Sequence, residues 1–224
     1  MTRTNAAPYF GTGAVGLLLA GFGLLADEVV EGDTLSVDNA ILLALREPGE
    51  PGNPIGPPWL EEAGRDITAL GGVSVLTIIV VAVAMHLILN GRARTAAYLT
   101  FAVATGTILS TALKALFDRP RPDLIGVVRI FTASFPSGHA TVSAVAYLTL
   151  GALLAEATKR RSLKVFYISC AVFLTVVVGV SRIYLGVHYP TDVLAGWALG
   201  TAWALLCATT VHWLKSRSAM GTAA

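Results

Sequence analysis

The chain has 224 residues, of which 54% are hydrophobic and only 13% are charged, and its mean hydropathy is +0.68. This composition excludes an ordinary soluble domain and indicates an integral membrane protein. The formal net charge is only +2, and no basic tract interleaved with aromatic residues occurs, so we expect no nucleic-acid partner.

The first apolar run covers residues 10–26, close to the roughly 20 residues that cross a bilayer as a helix. A cleaved signal peptide is the alternative, because Arg3 precedes the run and small residues lie near Ala26. We expect a retained first transmembrane helix.

Residues 27–67 interrupt the apolar composition, because ten acidic residues stand against only Arg46 and Arg65. We therefore expect this segment to be solvated. Near its end, Trp59 occupies the position of an interfacial anchor.

Within the solvated segment, Val37, Ile41 and Leu45 recur at a spacing of four after Ser36. The pattern predicts a short amphipathic helix on the membrane surface, with Ser36 as its N-cap. The stretch 48–58 contains five prolines and three glycines, so we expect a loop without regular structure there.

Five further apolar runs are each long enough to span a membrane as a helix. They cover about residues 68–90, 95–117, 137–157, 165–186 and 191–214. We therefore predict an all-α integral membrane protein with six transmembrane helices. A short extracytoplasmic amphipathic segment, about residues 31–67, is expected between helices 1 and 2. The chain, 1–224, is expected to form a single membrane domain with its helical body at about 68–214.

Small and sulfur-containing residues inside these runs are expected to serve packing. Gly196 and Gly200 have the Gly-x-x-x-Gly spacing, which favours packing between helices of one chain over a dimer contact here. Cys170 and Cys207 lack the spacing of a disulfide framework or a zinc site.

The distribution of charge predicts the orientation of the spans. The N-terminus, the second and fourth loops and the C-terminus contain a single acid, Glu156. The same segments contain nine cations: Arg3, Arg92, Arg94, Lys159, Arg160, Arg161, Lys164, Lys215 and Arg217. By the positive-inside rule these segments, and both termini, are cytoplasmic, and the other thirteen acids face outward.

Three polar patches share the outer ends of the predicted helices, so that one composite site is possible. The patches are Lys114 with Arg121-Pro122, then Pro136-Ser137-Gly138-His139, and finally the stretch 181–192. Lys114, Arg121 and Arg182 are three cations, and guanidinium groups match tetrahedral oxyanions in bidentate geometry, which indicates a phosphate ligand. The alternative for Lys114 or Arg182, taken alone, is a side chain that reaches the membrane interface.

Ser137 and Gly138 lead into the fourth predicted helix and form an anion site at its positive end. His139 lies in the same first turn. Before the sixth helix, Asp192 is placed to reach back toward His188, and a carboxylate on one imidazole nitrogen makes the other more basic. This arrangement suits a nucleophilic histidine, although an acid such as Asp192 is also common at a helix start.

Other charged residues near these patches are left out of the candidate site. Loop pairing is the expected role of four of them: Asp118, Arg119, Asp123 and Arg129. His86 and His212 lie toward the opposite helix ends and are expected to serve packing or the interface.

The three patches together resemble the signature of the type 2 phosphatidic acid phosphatase superfamily. Lys114 and Arg121-Pro122 are separated as in that signature, Pro136-Ser137-Gly138-His139 follows, and Ser181-Arg182, His188 and Asp192 complete it. No position departs from the pattern, and the resemblance covers about residues 68–200. The stretch around Ser181 is also similar to the bacterial phosphatidylglycerophosphate phosphatase B proteins, which implies a bacterial plasma-membrane protein.

The resemblance implies a metal-free, two-step hydrolysis of a lipid phosphate without a cofactor. His188 is the expected nucleophile, Asp192 orients it, and His139 protonates the leaving alkoxide. The substrate phosphate is expected to bind to the remaining residues: Lys114, Arg121, Ser137, Gly138 and Arg182. No Asp/Glu cluster suited to Mg²⁺ is apparent in the sequence.

The expected substrate is phosphatidylglycerol phosphate, phosphatidic acid or lysophosphatidic acid, presented from the bilayer. Undecaprenyl diphosphate is the alternative with the same chemistry, because the signature residues recognise phosphate and not the tail. Haloperoxidases that use vanadate share this signature, but six apolar spans argue against that class. A transporter or lipid-binding protein without turnover would be favoured by degenerate motifs, and none is degenerate.

Overall fold

The computed structural model describes residues 7–124 and 132–221, and this part of the chain is mostly helical. Its helices are α1 Ala7–Glu31, α2 Leu35–Ala44, α3 Pro58–Ala69, α4 Val73–Leu89, α5 Ala93–Phe117, α6 Gly138–Glu156, α7 Arg161–Tyr184 and α8 Pro190–Gly221. Two short strands, β1 Arg46–Glu47 and β2 Glu50–Pro54, lie between α2 and α3. Arg3 and Arg129 fall outside the described residues.

Five of the described helices, α1, α5, α6, α7 and α8, are long and apolar enough to cross a membrane. Helices α3 and α4 meet this criterion only as a pair, and they are bent by 47° relative to each other. The chain is therefore a multi-pass membrane protein with five candidate spans, or six if the bent pair counts as one. The prediction of one continuous helix over 68–90 is wrong.

The bend between α3 and α4 lies at Leu70-Gly71-Gly72. A Cβ atom on Gly71 would lie 2.4 Å from Cγ1 of Val178, so the missing side chain lets the bend pack directly on α7. The Tyr147 hydroxyl donates to the Leu70 carbonyl at 2.7 Å and gives a partner to one of the groups freed by the break. The glycine pair thus redirects the chain toward the candidate site.

Helix α6 lies at the centre of the bundle and packs against α5, α7 and α8. Ten of its 19 residues are buried. Close approach by α8 depends on Gly200 and Gly196, since a Cβ on Gly200 would lie 2.4 Å from the Thr141 carbonyl oxygen, and one on Gly196 2.8 Å from Ala140 Cβ. The predicted intramolecular role of this glycine spacing is confirmed. In an apolar solvent, such close packing supplies much of the attraction between helices.

The predicted short helix after α1 is present as α2, but its beginning differs from the prediction. Thr34 is the residue that precedes the helix, so Ser36 lies inside the first turn and the predicted Ser36 cap is wrong. Val37 and Ile41 are exposed, whereas Asp38 and Leu42 are buried against the protein. One face of α2 is therefore apolar and exposed, and the opposite face places the carboxylate of Asp38 in the interior of the protein.

The proline-rich stretch 48–58 is more regular than its composition predicts, and the expectation of an irregular loop is wrong. Its strand β2 pairs antiparallel with β1, and Gly49 provides the positive φ in the connection between them. Arg46 donates through Nη2 to the carbonyl of Tyr184 at 2.7 Å. The Tyr184 hydroxyl in turn donates to the Ile55 carbonyl at 2.9 Å. These bonds fasten the hairpin over the C-terminal end of α7.

Three aromatic rings join α1 to the segment that precedes α6. Phe117 and Phe135 meet edge to face with centroids 5.0 Å apart, and Phe22 of α1 stacks on Phe135 at 5.8 Å. Phe135 is fully buried, next to Ala26 and Ala195. This cluster fixes the segment 132–137, which carries part of the candidate site.

Candidate active site

The residues predicted from the three motifs meet at one end of the bundle. Two lie in last turns, Lys114 in α5 and Arg182 in α7, while Asp192 lies in the first turn of α8. The others are in the adjoining loops and at the start of α6: Arg121, Ser137, Gly138, His139 and His188. The charges of Lys114, Arg121 and Arg182 all act on the imidazole of His139, and those of Lys114 and Arg121 act on His188.

His188 is fully enclosed in the short connection between α7 and α8, and 1% of its surface is exposed. Its Nδ1 lies 3.4 Å from Oδ2 of Asp192, one helical turn further on. Ser134 donates its hydroxyl to the same carboxylate oxygen and lies 3.3 Å from Nδ1. The backbone N–H of Tyr189 also donates to it, at 2.9 Å. The carboxylate is therefore held against one nitrogen of the imidazole.

The other nitrogen, Nε2 of His188, lies 3.1 Å from Nη1 of Arg121. Arginine only donates hydrogen bonds, so Nε2 accepts this one and carries no proton. The imidazole proton is thereby assigned to Nδ1, which faces Asp192. Burial, partly opposed by Asp192, lowers the pKa of His188 to about 3, so the ring is neutral near pH 7. A neutral ring with an unprotonated Nε2 is the form that a nucleophile needs.

Arg119 forms a buried ionic bridge that the sequence does not predict. Its Nη1 donates to Oδ1 of Asp192 at 2.6 Å, and its Nη2 donates to Oδ2 of Asp38 in α2 at 2.9 Å. Asp38 also accepts from the Thr191 N–H at 3.0 Å and from its hydroxyl at 2.6 Å. The assignment of Arg119 to simple loop pairing is wrong, because it contacts the carboxylate that faces His188.

Arg119 is further held by the ring of Tyr189, whose centroid lies 4.2 Å from the guanidinium carbon. Arg119 is 8% exposed and both carboxylates are fully buried. A buried ion pair is costly to disrupt because the remaining charge has no water to solvate it. The bridge therefore couples the position of α2 to the first turn of α8.

Lys114 is folded over the segment that leads into α6. Its Nζ donates to the carbonyl of Ala133 at 2.7 Å and lies 3.4 Å from that of Ser134. A Cβ on Gly138 would lie 3.3 Å from Cε of Lys114, so glycine leaves the lysine room to cross the start of the helix. The ammonium group is thus presented beside the N-terminus of α6.

The guanidinium groups of the two motif arginines are anchored by hydrogen bonds to neighbouring segments. Arg121 donates through Nε and Nη2 to the carbonyl and hydroxyl of Thr132, at 2.8 and 3.0 Å, and through Nη1 to the Val187 carbonyl at 2.7 Å. Arg182 donates through Nη1 to the hydroxyl of Thr68 in α3 at 2.9 Å. Within the described residues, buried Nε of Arg182 has no hydrogen-bond partner. A buried donor of this kind is suited to a ligand oxygen.

Ser137 begins α6 as its N-cap, and its hydroxyl accepts from the N–H of Ala140. Its own N–H donates to the carbonyl of Asp192 at 2.9 Å, which joins the starts of α6 and α8. The N–H groups of the first turn have no intrahelical acceptor and lie at the positive end of the helix dipole. His139 is partly exposed beside the α3–α4 bend, where a Cβ on Gly71 would lie 3.4 Å from its Cδ2.

The arrangement combines a neutral imidazole nitrogen, three cations and a helix N-terminus around one position. Among residues 7–124 and 132–221, no group of three or more His, Cys, Asp or Glu side chains could hold a metal ion. His86 and His212 lie on α4 and α8 away from this cluster. The geometry therefore fits the binding of a tetrahedral oxyanion next to Nε2 of His188.

Comparisons with known proteins agree with this chemistry. The family model described as the PAP2 superfamily matches residues 95–216. The chain is 34% identical over 145 residues to phosphatidylglycerophosphatase B of Bacillus subtilis (strain 168), an alignment that covers 64% of this chain and 71% of that protein. It is 37% identical over 123 residues to lipid A 1-phosphatase of Rhizobium johnstonii, covering 50% of this chain and 46% of that relative.

A solved structure has a similar fold over most of the chain. It is the transmembrane PAP2-type phosphatidylglycerolphosphate phosphatase from Bacillus subtilis, with a TM-score of 0.80 and 30% sequence identity. The superposition covers 88% of this chain and 96% of that one. The likeness therefore extends beyond the matched segment and includes the helices that precede it.

Proposed function

Since the chain belongs to the PAP2 superfamily, we propose that it is a membrane lipid phosphatase that hydrolyses a phosphomonoester through a phosphohistidine at His188. The observation that carries this proposal is the pair of contacts on His188. Asp192 lies at Nδ1 and Arg121 at Nε2, so the unprotonated nitrogen points toward the cationic side of the site. Phosphatidylglycerol phosphate, phosphatidic acid and lysophosphatidic acid are the proposed substrates.

In the first step, Nε2 of His188 attacks phosphorus while the bond from phosphorus to the lipid oxygen breaks. The imidazole becomes positively charged, and the Asp192 carboxylate at Nδ1 stabilises that charge. The leaving alkoxide takes a proton from His139. The ring of His139 lies in the first turn of α6, beside the same cations. The negative charge of the bound phosphate offsets theirs and favours the imidazolium form, which gives its proton to the leaving oxygen.

The nonbridging phosphate oxygens bind to Lys114, Arg121, Arg182 and the first turn of α6 at Ser137-Gly138. Charge on these oxygens has to be stabilised during phosphoryl transfer, and fixed cations at short range do this. Arg182 Nε, which is buried without a partner in the described structure, supports the assignment. When phosphate binds, Arg121 Nη1 exchanges its contact with Nε2 for a phosphate oxygen, and the lone pair is released for attack.

In the second step, water attacks phosphorus and the bond from phosphorus to nitrogen breaks. His139, which gave its proton to the alkoxide, takes one from the attacking water. His188 leaves as the neutral imidazole and inorganic phosphate is released. The residues required for both steps are the same, so no rearrangement of the helices is needed between them.

Arg119 and Asp38 act in this scheme as positioning residues. The bridge from Asp38 through Arg119 to Asp192 fixes the second oxygen of the carboxylate whose first oxygen faces His188. A carboxylate restrained at both oxygens presents a constant orientation to the imidazole. Asp38 thereby extends the proposed machinery to α2, outside the three motifs.

We propose an extracytoplasmic active site in a bacterial plasma-membrane protein with both termini cytoplasmic. Counting the bent pair α3–α4 as one span gives six, and the cations at the ends of the bundle opposite the site support this orientation. A lipid headgroup then enters from the outer leaflet while its chains remain in the bilayer. Labelling of a cysteine placed at Gly52 by an outside-only probe tests the orientation, and labelling only after lysis contradicts it.

The activity is tested by phosphate release from detergent-solubilised protein in the presence of EDTA. The panel contains phosphatidylglycerol phosphate, phosphatidic acid, lysophosphatidic acid and undecaprenyl diphosphate. Release from one or more monoesters that resists EDTA is expected, with no release by His188→Ala. Hydrolysis of undecaprenyl diphosphate alone would replace the proposed substrate class, and complete inhibition by EDTA would contradict the metal-free mechanism.

A further inference from the structure

A cavity with a volume of about 570 Å³ lies at the end of the bundle opposite the candidate active site. Its walls come from the start of α5, the end of α6 and the C-terminal part of α8. Arg94 in this cavity and Lys114 in the candidate active site are both on α5, 20 positions apart. That distance corresponds to about 30 Å of helix, roughly the thickness of the hydrocarbon core. The two sites therefore face opposite leaflets.

Positive charge predominates at the rim of this cavity. Arg92, Arg94 and Lys215 line it, and the acid among the lining residues, Glu156, lies 3.6 Å from Nζ of Lys215. In the described part of the chain, neither arginine side chain has an ion-pair or hydrogen-bond partner. Arg92 also precedes the first turn of α5, where the helix dipole adds positive potential. The rim is therefore suited to an anion.

Other walls of the cavity are apolar. They include Leu153 of α6 and Val211 of α8, both partly buried, and the ring of Tyr98 of α5. A small soluble anion would leave these surfaces without contact. A ligand with an anionic head and an apolar body would satisfy both the rim and the walls, and a volume of this size is typical of a ligand site.

We propose that this cavity binds the headgroup region of an anionic phospholipid from the leaflet opposite the one that faces the candidate active site. The guanidinium groups of Arg92 and Arg94 bind the phosphate, because their paired donors match its oxygens. Basic pockets between transmembrane helices recognise anionic headgroups in this way. Among the described residues, the exposed pair Lys215–Glu156 links the ends of α8 and α6. The lipid adds contacts to α5 at the same end, so it stabilises the bundle.

The chain provides a matched control for the effect of charge alone. Arg160 and Arg161 lie at the start of α7, at the same end of the bundle, but do not line the cavity. Replacing either pair of arginines by glutamine removes two positive charges from the same face. A difference between Arg92→Gln/Arg94→Gln and Arg160→Gln/Arg161→Gln therefore reports on the cavity and not on surface potential.

The experiment measures the thermal unfolding midpoint of the purified full-length protein in detergent, titrated with dioleoyl-phosphatidylglycerol, dioleoyl-phosphatidylcholine or sodium phosphate. Phosphatidylglycerol is expected to raise the midpoint of the unchanged protein more than the other two. Arg92→Gln/Arg94→Gln should raise the half-saturating lipid concentration on the order of 30-fold, since each arginine contributes about a factor of five at an anionic headgroup. Arg160→Gln/Arg161→Gln and Arg121→Gln should respond to phosphatidylglycerol like the unchanged protein.

Three results would overturn the proposal. An equal loss in Arg160→Gln/Arg161→Gln would indicate nonspecific attraction to the surface, and a loss confined to Arg121→Gln would place the lipid at the candidate active site. A phosphate response that Arg92→Gln/Arg94→Gln weakens as much as the lipid response would identify a free anion as the ligand. Native mass spectrometry of retained phosphatidylglycerol provides a second readout for any variant that is less stable, and neither readout depends on catalytic activity.

Discussion

Nη1 of Arg121 lies 3.1 Å from Nε2 of His188, on the side of the imidazole opposite Asp192. Because the guanidinium group only donates, this contact assigns the imidazole proton to Nδ1 and leaves the lone pair on Nε2. The same arginine is a proposed phosphate ligand. One side chain thus holds the proposed nucleophile in its reactive tautomer and is available to bind the group that is attacked.

The bridge from Asp38 to Asp192 predicts a loss of turnover when its centre is removed. Arg119→Gln leaves two buried carboxylates without their cation, so we expect kcat to fall about 10- to 100-fold and stability to fall by about 3 kcal/mol, with KM nearly unchanged. Arg119→Lys should restore part of the lost kcat and part of the lost stability. The measurements are steady-state kinetics and denaturant unfolding in detergent.

Arg65→Gln is the control for this bridge, because Arg65 pairs with Glu61 on the exposed surface of α3. It should change neither kcat nor stability measurably. Asp38→Asn combined with Arg119→Gln should cost less than the sum of the single changes, since the two residues form one network. Additive effects, or a change confined to KM, would refute the positioning role.

Burial of neutral His188 predicts a dependence of stability on pH. Its pKa is about 3 in the folded protein and about 6.5 in an unfolded chain. Between these values the unfolded state binds a proton that the folded state does not, so the free energy of unfolding decreases as pH falls below 6.5. His188→Gln does not titrate, and its unfolding midpoint should fall less steeply between pH 6.5 and 4.5.

His86→Gln provides the comparison for this pH series. His86 is exposed at the end of α4, so the variant should follow the pH dependence of the unchanged protein. If the unfolding midpoints of the unchanged protein and His188→Gln depend on pH in the same way, His188 does not bind a proton on unfolding in this range. That result would contradict a neutral His188 in the folded protein.

The α3–α4 bend predicts an unusually sensitive glycine. Gly71→Ala places a methyl group 2.4 Å from Cγ1 of Val178, so a shift of α7 or of the bend is required, and we expect a loss of about 1–3 kcal/mol. Val178→Ala should restore part of it. Gly16→Ala in α1, where a Cβ meets nothing within 4 Å, should not destabilise the protein. Equal effects of the two glycine changes would contradict the packing of the bend.

His139→Gln separates the two proposed steps. Without the acid, turnover of a lipid monoester should fall on the order of 10²- to 10⁴-fold. With p-nitrophenyl phosphate, whose leaving group needs no proton, the first turnover should remain fast as a burst of p-nitrophenol, followed by a slow steady state. Loss of the burst together with the steady state would indicate that His139 is required for attack and not for protonation.

Much of the active-site geometry follows from local spacing in the sequence. Pro190 begins a helix, so Asp192 in its first turn can reach back to His188, and Ser137 marks the start of α6 in the same way. Hydropathy likewise finds both ends of α5, α6 and α7 and the start of α8 within about four residues, because each is a continuous apolar helix, although α8 continues seven residues beyond its predicted end. These features depend on residues that are neighbours along the chain.

The sequence does not reveal features that depend on contacts between distant residues or on a change in the direction of the chain. Asp38 and Arg119 are 81 positions apart. Asp38 lies in a segment with the composition of a solvated region, so only the folded structure identifies Asp38 as buried. Hydropathy over 68–90 reports the composition of the segment and not the direction of the chain, so it misses the bend between α3 and α4. The pair Gly71-Gly72 is the feature of the sequence that indicates a bend there. Prolines predict a loop at 48–58, but Pro51 and Pro54 lie within β2, which belongs to a sheet of only two strands, where proline is tolerated.

The central claim is covalent catalysis by His188, and a rapid quench with phosphate-labelled phosphatidic acid tests it most directly. The unchanged protein should carry a label that is stable in alkali and released by acid, as expected for phosphohistidine. His139→Gln should retain that label for longer, while His188→Gln should acquire none and release no phosphate. Labelling or turnover by His188→Gln at the rate of the unchanged protein would contradict the mechanism.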